Sequence, residues 1–528
     1  MFSTLDRHFA KRLQREAAQG SMLIGHAAAL VSSMLRRGHI CIDLRQPPEL
    51  GEELAPLFES WPSLAEWRDD LEASGVVGEA VEAFRPLVLD AEGRLYLHRY
   101  FAYEHALAAA IGDRVSGGRF RVIVGGPGTG KTTRILDLLS ELVGRDPTPV
   151  IALAAPTGKA AKRMEESIRA GIDGLALDPI RRERIPRTAS TLHRLLGTRR
   201  DSAFFKHDRN HPLMADVVII DEASMVDLPL MAKLLDALKP SATLVLVGDP
   251  DQLASVEAGA VLSDIATAAI EAPVDDSPLR ACLQILTRQH RYGAESGIGR
   301  LCTAIRTGDA DEALSLLMDE KFSDIRLRRP PSRDSLSVEL VRSPVVTGLL
   351  DALSSGAPNE ILEAMSRQRV LCATRIGPYG VESINVLVEA LAAEAGRSDM
   401  RPVVLTRNDH ALRLFNGDAG VIVRDARSGD ASAWFQDPEG GLRSVPSIRL
   451  PAIETAYAMT VHRSQGSEFD RVLIVLPTNP MPILTRELLY TAISRARRDV
   501  EIWATPEMLK EACRKRVRRH SGLASRLR

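Results

Sequence analysis

A chain of 528 residues is too long for one hydrophobic core, so about three or four structural units are expected. Hydrophobic residues at 45% and charged residues at 26% fit a folded globular protein, and a net charge of −1 excludes a global field that would draw it to nucleic acid or membrane. Any basic surface must be local.

Residues 1–100 read as helical, with LIGHAAALVSSMLRR carrying apolar residues at three- and four-residue spacing, and they hold no nucleotide signature. The opening MFSTLDRHFAKRLQREAAQG is charged throughout, and no segment approaches the ~18 apolar residues of a membrane span, so no secretion signal and no membrane partner are expected. Alternating apolar residues and a Gly turn in LVLDAEGRLYLHRYFAYEHALAAAI predict a hairpin leading into a helix. From about 119 the pattern becomes strand then helix: RVIV, VIALAAP, DVVIIDEAS and TLVLVGD predict a parallel sheet covered by helices. Proline and charge interrupt it at EAPVDDSPLR (271–280) and RRPPSRDSLS (328–337), after which RVLCAT, RPVVLT, RVLIVLP and VEIWAT suggest a second α/β series. The expected division is therefore 1–100, 101–335 and 336–528, with a small β insertion at about 416–451. The five cysteines (Cys41, Cys282, Cys302, Cys372, Cys513) form no CxxC pair, which suits a reducing, cytoplasmic setting.

FRVIVGGPGTGKTTRILDLL matches G-x-x-x-x-G-K-[ST] between a strand and a helix, so Gly125, Gly126, Pro127, Gly128, Thr129, Gly130, Lys131, Thr132 and Thr133 are expected to enclose a nucleotide's phosphates. Glycines let backbone N–H groups point inward, and the helix adds its positive end. Lys131 is expected at the β and γ phosphates of ATP, with Thr132 on Mg²⁺. The strand VVII delivers Asp221 and Glu222 to the same edge, Asp221 toward the metal and Glu222 as general base on the attacking water. Together they predict hydrolysis of a nucleoside triphosphate. In isolation either motif reads as an ordinary turn or cap.

The order LAAPTGKAAKRM, TASTLHRLLG, DEAS, LVGDPDQLASV, LTRQHRYG, TVHRSQGSEFD, LLYTAISRARRDV resembles superfamily 1 helicases over roughly residues 100–505. The resemblance implies an α/β fold of two RecA-like P-loop NTPase domains, here with a helical N-terminal domain and an SH3-like β insertion. It implies Gln252 as γ-phosphate sensor and Arg291 and Arg495 as cations reaching the γ phosphate from the second domain. It implies contacts to single-stranded DNA by Thr157, Lys159, Thr191 and His193 from the first domain, and by Asn416, Thr460, His462, Ser464 and Gln465 from the second. His105 stands near the place where relatives carry an adenine-reading Gln, and an imidazole cannot present the paired amide pattern.

LYLHRYFAYE, DEASMVDLPLM and VHRSQGSEFD with LLYTAISRAR are similar to the RecD family, the alpha subunits of exodeoxyribonuclease V. That likeness implies ATP-dependent 5′ to 3′ movement on DNA beside RecB-like and RecC-like subunits in double-strand-break repair, no nuclease site of its own, and residues 1–100 as the docking domain. A free-standing helicase of conjugation or replication, and a DNA-binding subunit with a silent ATP site, stay open. So does the choice between a strand-splitting hairpin and a plain surface hairpin for 197–216, with Phe204 and Phe205, and between a DNA contact and a solvated helix end for the basic KEACRKRVRRHSGLASRLR.

Overall fold

Short apolar runs bounded by glycine or charge become the central strands of two parallel sheets. The computed structural model describes residues 2–528 except 19–21, 49–57, 59, 146–147, 200–201, 203, 273–276, 294, 410, 426 and 438–440. The first sheet runs in spatial order 283–286, 120–125, 243–248, 217–220, 151–155, 190–191, every pairing parallel. Because side chains alternate along a strand, Ile123, Val245 and Ile219 face the helices Lys131–Val143 and Gly158–Ile172, while Val122, Leu244 and Val218 face the opposite core. Burial on both faces explains the unbroken apolar runs.

The second sheet is also parallel, in the order 325–328, 496–503, 469–475, 368–372, 458–460. Its faces divide the same way, Leu371, Val472 and Ile502 on one side and Val370, Leu473 and Trp503 on the other. This sheet moves the expected boundary at 335/336. The strand Ile325–Arg328 pairs with Ala496–Trp503, and the helices Gly297–Thr307 and Ala310–Met318 fill the same core. The proline-rich stretch 328–337 is thus a connection inside the second unit rather than a linker before it.

RPVVLT is also reassigned. Met400–Leu405 pairs antiparallel with Ala419–Arg424 and Ile453–Thr455, so the β insertion is a five-stranded antiparallel sheet that begins before 416 and ends after 451. A short apolar run carries no mark of which sheet it joins.

Among the described residues of this first unit, up to Leu97, three α-helices form as expected and a four-stranded sheet is added to them, with the predicted hairpin as Leu87–Leu89 and Arg94–Leu97. Their core gathers Leu30, Trp67, Leu71 and Leu95. Ile40, Cys41, Val88 and Tyr96, however, belong to the core of the first parallel sheet, so this unit is fused to its neighbour. The basic C-terminus seals the seam: Leu523 is 0% exposed in that same core, and Arg526 donates to the buried carboxylate of Glu104 (3.0 Å). It is a strap, not a solvated end. In the 197–216 segment, bridges join Thr198 to Phe205 and Asp208 to His211; Phe204 is 75% exposed, whereas Phe205 turns in beside His193. All five cysteines are free, and among the described residues no helix is long and apolar enough to cross a membrane.

Candidate functional site

Between the two parallel sheets lies a cavity of about 330 Å³ lined by Pro127, Gly128, Gly130, Lys131 and Thr132 on one wall and by Arg291, Glu468 and Arg495 on the other. The loop closes because Gly128 and Gly130 adopt left-handed backbone angles (φ +75° and +87°). A Cβ at Gly128 would collide with Arg291, so glycine also sets how near the second wall comes. Lys131 Nζ donates to the carbonyls of Gly125 (2.6 Å) and Gly126 (2.9 Å), and Thr129 Oγ1 donates to Gly126 O (2.8 Å). Gly125, Gly126 and Thr129 therefore shape the loop from behind. Thr133 is exposed and does not line the cavity.

Asp221 and Glu222 form the floor. Asp221 Oδ1 accepts the Glu222 N–H (2.8 Å), and its carboxyl is pushed up by desolvation first and by the adjacent Glu222 charge second, with Lys131 opposing. Glu222 holds φ +52°, a left-handed conformation that L side chains resist; such strain is maintained where a side chain must be aimed. Hydroxyl and carboxylate oxygens from Thr132 and Asp221 on one cavity make a hard donor set that suits Mg²⁺.

The far wall is tied to the floor through Gln252. Its Nε2 donates to Asp249 (3.0 Å), a buried carboxylate that also takes the Tyr490 hydroxyl (3.0 Å), and its Oε1 accepts from Arg495 Nη2 (3.0 Å). Arg495, 2% exposed, donates further to Thr491 O (3.1 Å) and Ser467 O (3.1 Å). One amide thus links a first-sheet carboxylate to a second-sheet guanidinium.

Glu468 gathers Arg163 from the first unit with Arg291 and Arg497 from the second. Burial raises its pKa, but the charges of Arg163, Arg291 and Arg497 outweigh this and hold it at about 2. A carboxylate depressed in the folded state stabilises above its ordinary value near 4.5 and loses that contribution as pH falls toward 2. Glu468→Gln is accordingly expected to destabilise the chain by up to about 3 kcal/mol at neutral pH. Urea melts should show the difference from wild type narrowing below pH 4.5; a gap independent of pH would contradict it.

The expected DNA-contacting residues divide. Thr157 and Thr191 cap their helices, each Oγ1 accepting a backbone N–H at 3.2 Å, and Thr191 sits beside Ala155 in the sheet. Lys159 and His193 are exposed, Lys159 with its ammonium 5.9 Å from the Phe469 ring. Asn416 is exposed in a turn whose Asp418 lies within electrostatic reach of Lys159, and Thr460 and His462 are half-buried at the end of an edge strand. The Lys159–Asp418 approach brings a residue of the first unit and one of the β insertion within electrostatic reach of each other.

Three expectations besides Thr133 are corrected. Ser464 is 0% exposed and its hydroxyl donates to Val461 O (2.7 Å), holding a 3₁₀ turn. Gln465, 6% exposed, donates to Leu253 O (2.9 Å) across the cleft, so it joins the two units instead of facing a strand of nucleic acid. His105 is exposed on the helix His98–Ser116, stacked on Phe101, and is absent from the cavity lining. Sequence reasoning passed over Asp249, Glu468, Tyr490 and Arg163. For the first two the only signal was an acid inside an already quoted motif.

Comparison with known proteins matches residues 1–96 to the RecBCD enzyme subunit RecD N-terminal domain, 108–258 to an AAA domain and 455–502 to the UvrD-like helicase C-terminal domain. RecBCD enzyme subunit RecD of Mycolicibacterium smegmatis is 39% identical over 99% of this chain and 97% of that protein. The ATP-dependent RecD2 DNA helicase of Deinococcus radiodurans is 33% identical over 80% of this chain and 52% of its own length. The solved structure of Bacteroides Pif1 bound to ssDNA aligns with 77% of this chain and 93% of that chain at 18% identity and a TM-score of 0.42. Near-complete overlap with a curated RecD, joined to two RecA-like sheets that enclose a phosphate loop, makes this chain a member of the RecD family of superfamily 1, ATP-dependent DNA helicases.

Proposed function

We propose that this chain is a 5′ to 3′ translocase on single-stranded DNA that works with RecB-like and RecC-like subunits on duplex ends in double-strand-break repair, leaving DNA cleavage to a partner. The observation that carries this reading is the Asp249–Gln252–Arg495 bridge, which ties the phosphate-loop side of the cleft to the opposite wall. The name of the Mycolicibacterium relative supports the assembly, and residues 1–97 supply the unit we assign to docking.

In this mechanism Lys131 exchanges its loop carbonyls for the β and γ phosphates of ATP, and the strained Glu222 takes a proton from the attacking water. Thr132 and Asp221 would hold Mg²⁺, which supplies charge neutralisation on the phosphates. Arg291 and Arg495 offset charge developing on the transferred group. When Arg495 turns to that group, Gln252 loses a partner, and the strain passes through Leu253, whose N–H and C=O are held by Thr491 (2.9 Å) and Gln465 (2.9 Å). Gln465 stands next to the turn carrying His462, so in this reading hydrolysis changes the setting of Thr460 and His462, the residues we assign to the strand. Short hydroxyls suit such contacts, because a grip must release at every step.

Streptavidin displacement tests the direction. A motor of this polarity clears biotin–streptavidin from the 3′ end of an oligonucleotide, and clearance confined to the 5′ end would overturn the proposal.

A further inference from the structure

The segment 255–259 follows closely on Gln252 and forms no helix or strand, yet three of its carbonyls converge on one guanidinium. Arg519 donates through Nη1 to Glu257 O and Gly259 O (each 2.7 Å) and through Nη2 to Ser255 O (2.6 Å). Arg519 comes from the C-terminal strap, beyond the second motor unit. The third party at this junction is the N-terminal unit: Gly259 N–H donates to Gly38 O (3.0 Å), Ile40 N–H donates to His520 O (2.8 Å), and His520 N–H donates to His39 Nδ1 (3.1 Å). Gly38 holds φ +93°, and a Cβ there would lie 3.0 Å from the Arg519 guanidinium, so the approach requires glycine.

The Gln252 amide is held by Asp249 and Arg495. Next to it Leu253 is held by Thr491 and Gln465, and the chain then enters the clasped loop, which has little regular structure of its own. A flexible loop next to a sensor costs orientation, and orientation enters the rate directly. Three carbonyls fanned around a planar fork also explain arginine here, since an ammonium cannot reach all three from one position.

We propose that Arg519 is a positioning residue for ATP hydrolysis: by clasping 255–259 it orients Gln252 toward Arg495, and it makes turnover depend on the seating of the strap against the N-terminal unit. The proposal rests on the hydrolase reading above and adds a control point distant from the phosphates.

The test is DNA-stimulated ATP hydrolysis by the full chain carrying Arg519→Ala or Arg519→Lys, alone and on a Gln252→Ala background. The expected result is a fall in kcat of about tenfold or more with KM for ATP within about threefold, in both variants. Millimolar guanidinium should restore part of the loss in Arg519→Ala. In the double variant the second substitution should add less than about twofold, since both act through one group. Arg519→Lys keeps the charge and decides the matter if Arg519→Ala does not fold. Turnover within about twofold of wild type, a change confined to KM, or losses that multiply in the double variant would overturn the proposal. Lack of turnover in the wild-type chain would instead sink the hydrolase reading, and this proposal with it.

Discussion

Lys131→Ala is expected to reduce DNA-stimulated ATP hydrolysis by at least about 10³-fold, while the chain stays folded. The side chain is the one ammonium on the loop wall of the cavity, and removing it leaves the phosphates facing backbone N–H groups alone. Little stability should be lost. Alanine favours the first turn of the helix Lys131–Val143, Gly126 O keeps the Thr129 hydroxyl, and the carbonyl freed at the buried Gly125 costs about 1 kcal/mol. Phosphate-release assays paired with thermal melts check both halves, and near-normal turnover in a folded variant would contradict the assignment of the cavity.

Arg495→Ala should cost as much in rate and more in structure. A guanidinium at the transferred phosphoryl group accounts for about 10³ to 10⁵ in rate where it has been isolated. Its loss here also takes a donor from Gln252 Oε1, Ser467 O and Thr491 O in a buried setting, the last keeping the Ser494 hydroxyl, so destabilisation of about 3 kcal/mol is expected as well. Arg495→Lys separates the effects: it retains charge but cannot hold the three oxygens at once, and turnover should remain at least about 10²-fold down. Binding of a fluorescent ATP analogue should change far less than turnover, because the residue lies on the wall opposite the phosphate loop. Turnover within about tenfold of wild type for either variant would remove Arg495 from the chemistry.

The parts of this site legible in the sequence are those built from contiguous residues. A phosphate loop is a strand, a turn and a helix in one stretch, and the acidic pair ends a neighbouring strand, so residue types and order suffice. Gln465 shows the opposite case. Its amide suits a nucleic-acid phosphate as well as a backbone carbonyl, and only the packing of Leu253 against it decides between them. Ser464 points inward because a 3₁₀ turn rotates it so, a rotation that neighbouring residue types do not reveal. RPVVLT carries the same apolar signal as the core strands, and its antiparallel partners lie in the insertion that follows. The role of Glu468 arises from three arginines brought from separate segments, and no local pattern marks such a convergence.

The strap has a consequence for how the molecule is made. His520 meets His39 across 481 residues of sequence, and Leu523 completes a core that already holds Ile40, Val88 and Tyr96. At ordinary elongation rates of about 5–20 residues per second, on the order of tens of seconds pass between synthesis of the two sides. During that interval the N-terminal unit and the first parallel sheet have left the ribosome, but the part of their shared apolar core that Leu523 fills stays uncovered. The nascent protein is therefore most prone to aggregation, and most open to capture by a chaperone or a waiting subunit, before its own strap is translated.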